Sequence, residues 1–232
     1  MTAIGTVPVE PPMGVAPMAG MTDTAFRRLV KRLGGCGLVV TEMVSSEGLV
    51  RGIDRTLEYA EYTEEERPVS IQIFGGDPER MAEAARIVEG MGADAVDVNM
   101  GCPVPKIARH NAGCSLMREP EHAARIVGAM ARAVRIPVTV KMRAGWNERE
   151  INAPLLARMV EDAGRPTGIW WPGWRPACGS RCSAAATASS RSRWPAGCRW
   201  GWPACSSAVA CCATRGSWPR RPICWQAVGR VR

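Results

Sequence analysis

Over residues 1–164, short β-prone runs alternate with helix-patterned stretches, and this rhythm constrains the fold more than any other property of the chain. Met13–Met18 reads as a strand ending in Pro17-Met18-Ala19-Gly20. Asp23 is placed to cap a helix over Thr24–Leu33, with basic residues in its last turn and Gly34-Gly35 as its stop. Leu38–Thr41 is a second strand, followed by Glu42, and Val69–Phe74 a third, ending at Gly75-Gly76. Asp77 and Pro78 open the next helix, whose apolar positions Met81, Ala84, Ala85 and Val88 fit a period of 3.6. Ala95–Val98 is a fourth strand, Glu119–Ala133 a helix, Pro137–Met142 a fifth strand and Ala153–Ala163 a further helix. Strand and helix in alternation predict a parallel sheet with right-handed crossovers. The spacing of the five units matches an α/β fold of the (β/α)8 TIM-barrel class. A doubly wound sheet is the runner-up, but the Gly-x-Gly-x-x-Gly turn expected after its first strand is absent.

The stretch Asp94-Ala-Val-Asp-Val-Asn-Met-Gly-Cys-Pro103 places Asn99 and Cys102 just past the fourth strand, on a turn made by Gly101 and Pro103. Other strands also end in polar groups: Glu42 after the second, Gln72 near the end of the third, Lys141 and Arg143 at the fifth. In a barrel these ends converge on one mouth. Each has a bland reading: Gln72 as a satisfied core amide, Glu42 as a helix cap, Lys141 as a strand terminus, Cys102 as a small apolar residue in a turn. Together they fit a site for an electron-rich heteroaromatic. Lys stabilises charge on a reduced ring, Gln and Asn pair with ring amides, and a thiol gives a proton.

Residue usage changes abruptly at position 164. Residues 1–164 hold 19 Lys+Arg and 22 Asp+Glu. Residues 165–232 hold 11 Arg, no acidic residue, no Leu and no Lys, yet eight of the nine Trp and seven of the ten Cys. The chain's net charge of +8 is therefore a property of this Arg/Trp/Cys/Pro-rich tail. Without a single Leu the tail lacks the usual helical apolar periodicity. Its composition is that of a GC-rich gene read in a wrong frame, so it is expected to be frameshifted or disordered. A basic RNA-binding tail is the alternative. The tail's cysteines include no Cys-x-x-Cys pair and no His accompanies them, so no metal site is expected. The N-terminus has no basic and apolar leader, and no run of 18 apolar residues occurs. The expectation is a cytoplasmic monomer that does not cross a membrane.

Several motifs, in order and at matching spacing over about residues 10–164, resemble the tRNA-dihydrouridine synthases, closest to the bacterial B type. They are Val15-Ala-Pro-Met-Ala-Gly-Met-Thr-Asp23, Thr41-Glu-Met43, Gln72-Ile-Phe-Gly75, Asp97-Val-Asn-Met-Gly-Cys-Pro103, Lys106-Ile-Ala-Arg-His-Asn-Ala-Gly-Cys-Ser-Leu-Met117 and Lys141-Met-Arg-Ala-Gly-Trp146. The resemblance implies a TIM barrel that binds FMN, takes electrons from NADPH, and reduces uridine in tRNA to 5,6-dihydrouridine. It implies that Cys102 donates the proton, that Pro17, Met18, Ala19, Gln72 and Lys141 contact FMN, and that Asn99 and Arg143 hold the uracil or the ring nearby. A thiol, ordinarily protonated at neutral pH, can serve as that acid. The target base must leave its stack to be reached. The family's later His-Gly-Arg-Thr, Asn-Gly-Asp and Gly-Arg motifs have no counterpart after Gly164, and the only histidines are His110 and His122. Weak FMN retention by this chain is the consequence expected. The competing readings are another FMN barrel oxidoreductase and a non-catalytic RNA-binding remnant.

Overall fold

A computed structural model describes residues 3–147, 149–164, 168–170 and 209–211. A two-stranded hairpin of β1 (Ala3–Ile4) and β2 (Val7–Pro8) precedes the main sheet. There follow β3 (Met13–Val15), α1 (Thr24–Leu33), β4 (Leu38–Val40), β5 (Val44–Ser45), α2 (Ser46–Val50) and α3 (Asp54–Ala60). Then come β6 (Val69–Phe74), α4 (Pro78–Gly90), β7 (Ala95–Met100), α5 (Pro105–Ala108), α6 (Pro120–Ala133), β8 (Val138–Met142), α7 (Ala153–Gly164), β9 (Gly168–Trp170) and β10 (Val209–Cys211). Strands β3, β4, β6, β7, β8 and β9 pair in that order, all parallel. β10 runs antiparallel along β3, and among the described residues β9 and β10 do not pair. The wall is thus a curled half-barrel with helices on its outer face, within the expected α/β TIM-barrel class.

Local chemistry sets the helix ends. The Asp23 side chain accepts from the Phe26 N–H, and Gly34, at φ 76°, ends α1. Asp77 accepts from the Arg80 N–H, with Pro78 at the first turn of α4. The period-2 alternation of the central strands divides the sheet into two unlike faces. Ile71, Ile73, Val96, Val98, Met100, Val138, Val140 and Met142 form one core with Met81, Ala85, Val88, Ile126, Met130 and Leu156 of the helices. The opposite parity carries Ser70 and Gln72, Asp97 and Asn99, Thr139 and Lys141. A polar inner stripe and an apolar outer face therefore come from the same three strands.

Some boundaries differ from expectation. β3 ends at Val15, so Pro17, Met18 and Ala19 lie in the following turn. β7 continues to Met100, so Asn99 is a strand residue and not a loop residue; only Cys102 lies beyond the strand. Pairing with β8 through Met100↔Met142 carries β7 those two residues further. The expectation for the tail falls, apart from 168–170 and 209–211, outside the described residues. Among those described, no helix is long and apolar enough to cross a membrane.

Candidate active site

Register brings the polar stripe into rows. Gln72 stands opposite Asp97, Asp97 opposite Thr139, and Asn99 opposite Lys141. Gln72 Nε2 donates to Asp97 Oδ2 at 2.6 Å, and Thr139 Oγ1 donates to Asp97 Oδ1 at 2.5 Å. Asn99 Nδ2 donates to Gln72 Oε1 at 2.8 Å. The Asn99 Oδ1 accepts from the backbone N–H groups of Gly101 (3.1 Å) and Cys102 (2.9 Å). Asn99 therefore holds the turn on which Cys102 sits. The Gln72 backbone N–H donates to Thr41 Oγ1 at 3.1 Å, tying this row to the end of β4.

Burial shapes the charges. Asp97 is 3% exposed, and burial pushes its carboxyl up to about 6, opposed by the Gln72 and Thr139 hydrogen bonds and the charge of Lys141. Burial likewise pushes the Lys141 ammonium below the usual lysine range, against the pull of Asp97 and Cys102. Cys102 is half-buried, whereas Cys114 is buried and its thiol pushed up by that burial, against Arg143 beside it. The Cys114 N–H donates to the Cys102 carbonyl at 3.0 Å, so the two cysteine loops are tied together. Gly113 between them has φ 61°, and a Cβ there would stand 2.7 Å from the Cys102 carbonyl oxygen.

The turn with Pro17, Met18 and Ala19 is held by hydrogen bonds to Thr22, Met21 and Glu42. The Met18 carbonyl accepts from the Met21 and Thr22 N–H groups, and the Met18 N–H donates to Thr22 Oγ1. The Gly20 N–H donates to Glu42 Oε2 at 2.6 Å, so Glu42 clamps the β3 turn and caps no helix. Gln72, Asn99, Lys141 and Cys102 thus stand on adjacent strands β6, β7 and β8 or just past them, with Arg143 one residue beyond β8. Asp97 and Thr139 escaped the sequence reading. The available signal was the alternation of Asp97 and Asn99 with Val96 and Val98, which puts an acid on the same face as the amides. No group of three His, Cys, Asp or Glu side chains suited to a metal occurs among the described residues.

The set fits a flavin by the chemistry of its donors. No described residue accepts from the Lys141 ammonium, and one Nε2–H of Gln72 is left over after its bond to Asp97. The family described as dihydrouridine synthase matches residues 14–167. The tRNA-dihydrouridine synthase B of Xanthomonas campestris is 44% identical over 161 residues, covering 69% of this chain and 48% of that protein. A probable tRNA-dihydrouridine synthase of Rhodobacter capsulatus is 45% identical over 164 residues, covering 70% and 50% respectively. The tRNA-dihydrouridine synthase B of Pseudomonas aeruginosa is 43% identical over 150 residues, covering 65% and 45%. The chain spans about half the length of the curated relatives it matches.

Proposed function

The chain belongs to the dihydrouridine synthase family, and from that membership we propose that it carries the proton-donating wall of an enzyme that reduces uridine in tRNA to 5,6-dihydrouridine, with FMN as cofactor and NADPH as reductant. The observation that carries the reading is the placement of Cys102: it lies just past β7, on a turn pinned by Asn99, one strand away from Lys141. When bound, the flavin supplies a hydride for C6 of the uracil. The residues of this chain do the rest. Cys102 Sγ gives the proton to C5 of the same ring. Lys141 and Gln72, with the turn of Pro17, Met18 and Ala19, would hold the flavin ring. The Lys141 ammonium, already poorly solvated, would offset negative charge on a flavin held there. Arg143, one residue past β8, orients the uracil. Asn99, whose carbonyl is committed to the Cys102 turn, contributes by holding the acid in place.

The test is a chimera. Residues 1–164 of this chain replace the matching stretch of the Xanthomonas campestris protein, and the product is expressed in a strain whose tRNA lacks dihydrouridine. The expected outcome is dihydrouridine in the tRNA by mass spectrometry, abolished by Cys102→Ala while bound flavin is retained. A chimera that keeps its flavin but forms no dihydrouridine sinks the proposal, and so does a Cys102→Ala chimera of normal activity.

A further inference from the structure

The hydrogen bonds beneath Cys102 have a direction, and that direction can be traced to one residue. A carboxylate only accepts hydrogen bonds, whereas a primary amide presents two donors on one side and an acceptor on the other. Asp97 accepts from Gln72 Nε2 at 2.6 Å, which turns Gln72 Oε1 away from it. That oxygen accepts from Asn99 Nδ2 at 2.8 Å, which turns Asn99 Oδ1 toward the Gly101 and Cys102 N–H groups. Reversing any one amide would bring donor against donor at the next link. At the far end, Thr139 Oγ1 holds the second Asp97 oxygen at 2.5 Å, so the carboxylate is fixed on both sides. Asp97, Gln72 and Asn99 are 3%, 1% and 8% exposed, so water is a poor substitute for a broken link.

We propose that Asp97 is a positioning residue. By setting the sense of the Gln72 and Asn99 amides, it fixes the turn that carries Cys102. It does so without meeting substrate, acting through three successive hydrogen bonds. The inference deepens the reading above and takes from it only that Cys102 is the proton donor. A mere packing role predicts that substitutions of Asp97 loosen β7 and β8 in general. The positioning role predicts loosening confined to the Cys102 turn and dependent on an acceptor at position 97.

The experiment is amide hydrogen exchange on the full 232-residue chain, resolved to Gly101 and Cys102, with the alkylation rate of Cys102 followed by peptide mass spectrometry. Asp97→Leu removes the acceptor and should speed exchange at Gly101 and Cys102 at least about five-fold, the worth of one ordinary hydrogen bond. Cys102 alkylation should rise with it, while exchange in the core of β8 stays as in the parent chain. Asp97→Asn keeps an oxygen for Gln72 and an amide for Thr139, and should restore exchange to within about two-fold of the parent. Gln72→Met leaves Asp97 in place and cuts the chain one link later, so it should reproduce the loss. Where Asp97→Leu does not fold, Gln72→Met decides. Unchanged exchange at Gly101 and Cys102 in the interrupted variants overturns the proposal, as does failure of Asp97→Asn to restore it. None of these readouts involves turnover, so an inactive chimera would leave this result standing, and the reverse also holds.

Discussion

Replacing Arg27 with Met should be among the most damaging single changes in the described half-barrel. Arg27 is 2% exposed and Glu66 is 0% exposed, and their side chains meet at 2.5 Å. The guanidinium also donates to the Thr22 carbonyl (2.6 Å), the Glu61 carbonyl (2.7 Å) and Thr24 Oγ1 (3.1 Å). It therefore joins α1, the turn after β3 and the segment leading into β6. Without it, the Glu66 carboxylate keeps only the Thr63 N–H and hydroxyl. Removing one partner of a buried ion pair costs about 3–5 kcal/mol, because the remaining charge stays desolvated. The released carbonyls add to that, so a loss of about 4–5 kcal/mol is expected. Against a typical stability of about 5–15 kcal/mol, that is a large share. Denaturant titration of the parent and variant chains measures it, and thermal melting should drop by roughly 10 °C or more. The double substitution Arg27→Met with Glu66→Met should recover much of the loss, since it strands no charge. If Arg27→Met alone costs less than about 1 kcal/mol, then water reaches Glu66 and the buried-charge reasoning is wrong.

Two further outcomes are expected. Asp97 ionises at about 6 when folded against an ordinary 3.8, so the native state holds the proton more tightly than the unfolded chain between those values. Its contribution to stability is therefore complete below the ordinary carboxylate range and is lost as pH rises through about 6, a change on the order of 3 kcal/mol. Asp97→Asn should flatten that part of the pH–stability curve measured by denaturant titration, and a curve still parallel to the parent's would contradict the assignment. Gly113→Ala should destabilise by about 1–3 kcal/mol in thermal melting, because an L residue there takes a left-handed φ with its Cβ against the Cys102 carbonyl. No loss on that substitution would show that the turn relaxes freely.

Much of the half-barrel was legible because its signals are local. Asp23 and Gly34 bracket α1 at the residues expected, and Asp77-Pro78 starts α4, since caps act within one turn of the chain. Val69–Phe74 was legible as a strand from β-branched residues at alternate positions. The segment from Val44 to Ala60 was not, because β5, α2 and α3 are each too short to display a period. The Arg27–Glu66 pair joins residues 39 positions apart, and no spacing rule reaches that far.

The site divides along the same line. That Gln72, Asn99, Cys102 and Lys141 share one end of the sheet follows from strand order and parity, both readable once the alternation is recognised. What each group does with its hydrogen bonds depends on its neighbour across the strand, and register is set by the packed sheet. Gln72 was readable as a satisfied core amide or as a ligand-facing group, and the structure shows that the alternatives do not exclude each other. One N–H and the oxygen satisfy Asp97 and Asn99, and one N–H remains. Asn99 was placed in the loop by a strand ended two residues early. Its true position, inside β7 with its carbonyl turned onto the next two N–H groups, is what lets a strand residue govern the loop beyond it. A buried acid within an apolar strand, to which the sequence reading gave no role, thus becomes the fixed end of a chain of bonds that ends at the backbone N–H of Cys102.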